Sequence, residues 1–228
     1  MLSVDEWRIL ATSLGVALRA VLLSLPVAIA VAWVLSRSGL RGKSVLSALA
    51  HLPLVLPPVL VGFLLLLLFG RRGPVGQWLD TTFGVQLAFT AEGAALATAV
   101  MTFPLMVRAI RLSFEAADVR LFEAAAVLRA SPWDRFVSVA LPLAGPGVLA
   151  GAVTAFAAGL GEFGAVITFA ANVPGETQTL PLAIYSALQT PGGEARALRL
   201  AGLSMTLALI GLAAAEWLQR WARARTQG

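Results

Sequence analysis

The chain has 228 residues, of which 58% are hydrophobic and 13% charged, with no cysteine and a formal charge of +5. A soluble domain carries about 25% charged residues, so this composition argues against a soluble globular protein, and the missing cysteines exclude a disulfide framework and thiolate chemistry. The basic residues lie beside apolar runs and not in one patch, which argues against a nucleic-acid surface.

A bilayer needs about 20 apolar residues per helical span. The first run, over 10–36, exceeds that, with Arg19 inside it and Pro26 as a candidate kink. It follows Asp5 and Glu6, lacks a basic leader and is long enough to span, so it reads as a span and not as a cleavable signal. The GKS at 42–44 imitates the end of a phosphate-binding loop, but the required first glycine would fall at Arg37 and no strand precedes it.

The second run, 45–69, carries Pro53, Pro57 and Pro58. Its freed carbonyls need partners in lipid, so it is either a kinked packing helix or a break lining a pathway. His51 is the single histidine and has no ligand set around it. Residues 70–90 read as a loop, followed by a third span over 93–110 with Pro104 inside it.

Residues 115–146 contain the longest soluble-looking helical stretch. One short helix is expected over 121–128. A second begins at Ser131 as N-cap, with Pro132 first and Asp134 third in the helix. Trp133, Phe136, Val137 and Ala140 lie on one face of that helix. Pro142 and the Pro146–Gly147 pair are expected to end it.

A fourth span follows over 148–169. Gly147, Gly151, Ala155 and Gly159 recur at every fourth residue, a stripe that admits a neighbouring helix closely. Gly161, Glu162, Phe163 and Gly164 follow as pathway or gate candidates. Glu162 is the acidic residue clearly within a span, and it serves either the path or a buried ion pair or helix-end hydrogen bond. An ion pair with Arg108 is one form of that second role. Residues 170–199 include a short helical piece over 182–188, re-entrant or interfacial. A fifth span covers 200–218.

With the N-terminus outside, eleven basic residues fall on the inner side: Arg37, Arg41, Lys43, Arg108, Arg111, Arg120, Arg129, Arg135, Arg220, Arg223 and Arg225. Six fall outside or in the outer half, so the positive-inside rule favours N-terminus outside, C-terminus inside and the 115–146 loop facing the cytoplasm.

Glu123, Ala124 and Ala125, continuing to Val139, Leu141 and Pro142, resemble the EAA loop of ABC importer permeases. The pattern departs at Arg129, where that family has glycine. Three further stretches, over 51–76, 101–115 and 160–195, resemble the permease subunit of molybdate ABC importers, and the PGETQTLP run at 174–181 resembles the molybdate, tungstate and sulfate group.

The resemblance implies an all-α polytopic membrane protein with the type I importer permease fold, five spans and a cytoplasmic coupling loop, in a bacterial cytoplasmic membrane. It implies a homodimer, two cytoplasmic ABC ATPases that hold the ATP and magnesium, and a periplasmic or lipid-anchored oxyanion-binding protein. This chain would carry no cofactor, no metal and no catalysis. Glu123 would contact the ATPase cleft, and Ala124 and Ala125 would permit close approach. Trp133 and Phe136 would anchor the second loop helix, while Arg129 at the motif turn would bear on coupling geometry. Tungstate or sulfate/thiosulfate are the alternative cargoes. A secondary transporter or channel is the alternative class, but it would call for internal repeats or a titratable relay, and neither is visible.

Overall fold

The computed structural model describes residues 3–36 and 42–226, so Arg37 and Arg41 lie outside the described residues. Among the described residues the chain is helical and has no strand. The order is α1 (Val4–Ser36), α2 (Lys43–Val55), α3 (Pro58–Phe69), α4 (Pro74–Phe83), α5 (Ala91–Glu115) and α6 (Val119–Val127). There follow α7 (Pro132–Arg135), a π-helical turn (Phe136–Ala140), α8 (Leu141–Leu143), α9 (Gly145–Leu160), α10 (Gly164–Phe169), α11 (Leu180–Leu188) and α12 (Glu194–Thr226). Three helices are long and apolar enough to cross a membrane unaided, over Val4–Ser36, Ala91–Glu115 and Glu194–Ala214.

The core is the bundle of α1, α5 and α9. Ala28, Ala32, Leu35, Met106, Ile110, Ala144 and Ala155 are buried in it. The small-residue stripe explains how tightly it closes. A Cβ on Gly159 would lie 2.8 Å from the Thr98 methyl, and one on Gly151 would lie 3.1 Å from the Met106 carbonyl oxygen. The stripe therefore seats α9 directly on α5, as its period predicts.

The prolines of the second apolar run decide its shape. Leu56 and Pro57 separate α2 from α3, and the two helices meet at 114°. Pro57 and Pro58 have no amide hydrogen to continue the helical ladder, and Leu60 and Val61 donate instead to the Pro57 carbonyl at 2.9 and 3.2 Å. The fourth apolar run is also interrupted: α9 ends at Leu160 and α10 begins at Gly164.

At the α1 start, directional bonds fix the neighbours. The Ser13 hydroxyl accepts the Leu180 N–H at 2.7 Å and donates to the Ile9 carbonyl at 3.0 Å, holding α11 against α1. The buried Glu6 carboxylate accepts from Arg199 Nε at 3.2 Å and from the Ser3 N–H at 2.8 Å, tying α1 to α12. The 174–181 run is built beside them. Thr177 is buried and its hydroxyl accepts the Val173 N–H at 2.9 Å, while Gln178 donates to Asn172 at 3.0 Å. A cleft of about 390 Å³ opens here, and Asp5, Arg8, Gln178, Ser186, Thr190 and Arg196 are among the residues that line it.

Candidate functional site

The loop between α5 and α9 is a built structure. Asp118 caps α6 by accepting the Arg120 N–H at 2.9 Å. At the other end Arg129 has φ +60°, in the left-handed region. Its N–H donates to the Ala126 carbonyl and the Ala130 N–H to the Ala125 carbonyl, each at 3.0 Å. This pair of bonds is the Schellman C-cap, whose left-handed residue is usually glycine. Arginine thus makes the glycine's turn with the glycine's backbone geometry.

A side chain in that conformation costs about 1–2 kcal/mol. Glycine would remove the strain but add about 0.4–1 kcal/mol of unfolded-chain freedom. Arg129→Gly is therefore expected to stabilise the protein by about 0.5–1 kcal/mol, read as a higher melting midpoint in detergent. A lower midpoint would mean that the arginine side chain makes a contact worth more than the strain.

Ser131 caps α7 as its position predicts. Its hydroxyl accepts the Asp134 N–H at 3.1 Å, and the Asp134 carboxylate accepts the Ser131 N–H at 3.2 Å and its O–H at 2.6 Å. The Ser131 hydroxyl and amide hold the Asp134 carboxyl below the ordinary carboxylate range. Both partners stay bonded at any neutral pH, so the start of α7 is rigid.

Pro142 does not end this helix. Helical backbone runs through it to Leu143, and the bend, of 63°, comes at Ala144 before Gly145. The chain absorbs the proline with the π-helical turn, in which the Leu141 N–H reaches back five residues to the Phe136 carbonyl. The widened turn relieves the clash that a proline ring makes with the fourth carbonyl before it.

Glu123 and Ala124 are exposed on α6, and Ala125 is half-buried. Two residues that sequence reasoning passed over stand out further: Val127 is 83% exposed and Leu128 82%. They sit at the α6 end, immediately before the strained turn. Trp133, on α7, is 69% exposed. Their signal was their place next to the motif turn, since a helix normally turns such residues inward.

The inward side of the loop carries rings. Trp33 of α1 lies 5.2 Å from Phe114, 6.2 Å from Phe122 and 5.1 Å from Phe136, centroid to centroid. Phe136 lies 6.4 Å from Phe114 and 5.6 Å from Trp133. The structure thus brings Trp133 and Phe136 together as expected of the second loop helix, and adds three partners from α1, α5 and α6.

The other candidate residues lie elsewhere, where α10 crosses α3. A Cβ on Gly164 would be 2.6 Å from Pro58 Cβ, and one on Gly62 would be 2.6 Å from the Ala165 carbonyl oxygen. Gly161 closes α9, and the Phe163 ring lies 5.2 Å from Tyr185. Glu162 accepts the Ala165 N–H at 3.0 Å and so caps α10. No ion pair joins it to Arg108 among the described residues; its carboxylate bonds the α10 backbone instead. Glu162→Ala is expected to cost about 1 kcal/mol through the lost cap, and Glu162→Gln, which keeps an acceptor oxygen, to recover most of it. Thermal unfolding of the two variants in parallel tests this; equal losses would assign the role to the charge.

The fold and the loop together define a transport-system membrane component. The chain belongs to the family of binding-protein-dependent transport system inner membrane components, whose model matches residues 24–224. Its helices have the ABC importer permease fold. The crystal structure of a bacterial alginate ABC transporter with its pentasaccharide-bound periplasmic protein superposes with a TM-score of 0.75, covering 96% of this chain and 79% of that one at 16% identity. Among sequence relatives, the chain is 53% identical over 225 residues to the molybdenum transport system permease protein ModB of Escherichia coli strain K12, covering 99% of this chain and 98% of that protein. The sulfate transport system permease protein CysT of the same organism is more distant, 37% identical over 158 residues, 69% of this chain and 57% of that protein.

Proposed function

We propose that this chain is the membrane permease subunit of an ATP-driven importer that carries molybdate across the bacterial cytoplasmic membrane by alternating access. The observation that carries the reading is the near-full-length identity to a molybdenum permease. The lower and shorter match to a sulfate permease supports molybdate over sulfate.

In this reading two copies pack around the path, and α2 and α3 count together as one broken crossing, giving five per copy. The N-terminus is outside and the α5–α9 loop lies in the cytoplasm, where each loop docks into one of two ATPase subunits. The ATPases hold ATP and magnesium and supply the energy; this chain contributes no catalytic group. A periplasmic or lipid-anchored binding protein delivers the oxyanion to the outer face, at the end bearing the Arg8–Arg196 cleft. The α3–α10 crossing, with Gly161, Glu162, Phe163 and Gly164, serves as the gate. The path itself binds the anion weakly, because a tight site would resist release.

Uptake into proteoliposomes holding the chain, its ATPase and loaded binding protein tests the reading. ATP-dependent molybdate uptake is expected to resist excess sulfate and to yield to tungstate. Uptake dominated by sulfate would overturn the cargo, and no ATP-dependent uptake in a verified intact complex would overturn the importer assignment.

A further inference from the structure

The loop has two ways of moving the spans. Chain continuity links it to α5, which precedes it, and to α9, which follows it. The third helix of the core bundle, α1, has no such link. It meets the loop at Trp33, whose indole contacts Phe122 of α6 and Phe136 of the π-helical turn at the distances given above. The contact is firm on the core side, because Phe114 is buried and stacks edge-on against the same indole at 63° between planes. On the loop side, α6 and α7 contain no buried residue. Phe122 is the α6 residue that packs against the core, so the ring cluster is where that helix is held.

We propose that Trp33 is a positioning residue for energy coupling. Its indole joins α1 to the loop helices, so that displacement of the loop by the ATPase reaches the inner end of α1. Edge-to-face and tilted ring contacts suit this task. They bury apolar ring surface across the contact and tolerate a range of ring angles, so the loop stays in contact while it rotates. The inference rests on the loop being the ATPase-docking element.

The test uses the complete complex of permease, ATPase and loaded binding protein in proteoliposomes, with Trp33→Ala, Trp33→Leu and Trp33→Phe variants. Four quantities are read: ATPase co-purification, basal ATP hydrolysis, its stimulation by loaded binding protein, and uptake. Trp33→Ala is expected to keep co-purification and basal hydrolysis within about twofold, while stimulation and uptake fall roughly tenfold or more. Trp33→Phe restores at least half of both. If the alanine variant yields no intact complex, Trp33→Leu, which keeps apolar volume without a ring, is read by the same criteria.

Uptake and stimulation within twofold of wild type in the ring-less variants would overturn the proposal. So would equal defects in Trp33→Leu and Trp33→Phe, since that result would assign the residue to packing alone. Failure of the wild-type complex to couple ATP to uptake would instead overturn the importer assignment, so the two failures are distinguishable.

Discussion

Leu128→Asp is expected to abolish association with the ATPase of the proposed importer while the permease remains folded. Leu128 and its neighbour Val127 are more than four-fifths exposed, on a segment held rigid by the Asp118 cap, the Schellman turn and the Ser131 capping box. Large apolar groups fixed outward on a capped loop are suited to contact with another protein. Burying one such side chain stabilises a complex by about 1.5–3 kcal/mol. Aspartate removes that gain and adds the cost of desolvating a charge. Together these come to several kcal/mol, on the order of a thousandfold in affinity or more.

Because Leu128 touches little within its own chain, the melting midpoint of the isolated permease stays within about 2 °C of wild type. Co-purification and a titration of ATPase onto immobilised permease measure the loss. Glu123→Ala provides the contrast. Glu123 is exposed on the same helix, and a rim charge is expected to be worth only about tenfold or less. If Leu128→Asp bound normally while Glu123→Ala did not, the apolar tip would not be the docking element.

The second large effect is expected from one methyl group. Gly164→Ala places a Cβ 2.6 Å from Pro58 Cβ and 3.3 Å from the Val59 nitrogen. Neither neighbour yields easily: the proline ring is rigid, and the nitrogen belongs to the first turn of α3. The two helices must part, at a cost of about 1–3 kcal/mol for overpacking. For a protein of this size that is a fall of roughly 2–4 °C in melting midpoint per kcal/mol.

Uptake is expected to fall further than the stability does, by about tenfold or more, because the crossing that moves apart is the one between the two helix breaks. Melting and uptake on one preparation check both parts. An unchanged melting midpoint would show that α10 already stands off α3 in the resting protein. Gly62→Ala, on the same crossing, meets the Ala165 carbonyl oxygen and is expected to behave alike.

The loop was the most legible part of the chain because its signals are local. A serine, a proline and an aspartate in order specify a capped start wherever they fall, and Ser131, Pro132 and Asp134 do so here. The departure at Arg129 was also visible, and the structure adds that the arginine adopts the left-handed turn itself. The four-residue stripe of small residues needed no structure to be read as a contact face, though its partner, α5, did.

What misled was Pro142. The absence of an amide hydrogen and the ring clash are local facts, but a π-helical turn can absorb both, and that choice depends on how Phe136 and Ala140 pack. Pro57 and Pro58 read more readily as a kinked packing helix than as a full break. The two helices meet at 114°, and α10 lies close against the first turn of α3 at Pro58. The ring cluster was illegible for a different reason. Residues 33, 114, 122 and 136 are far apart in sequence and share no period, so only the folded bundle brings them together. Val127 and Leu128 look like ordinary core residues until the helix end is seen to point them outward.

The two ends of α1 are secured by different forces. At its start the Ser13 hydroxyl and the Glu6 carboxylate hold α11 and α12 in fixed directions; at its other end the Trp33 indole packs against the rings of Phe114, Phe122 and Phe136. A long rod held by directional bonds at one end and by ring packing at the other is a lever with its fulcrum at the bonded end. From Ser13 to Trp33 the arm is about 30 Å at 1.5 Å per residue. A tilt of about five degrees at the fulcrum, small enough to leave the Ser13 bond unbroken, sweeps the indole through roughly 2.6 Å by that length. The Ser13 end of the helix then stays nearly still while the Trp33 end travels.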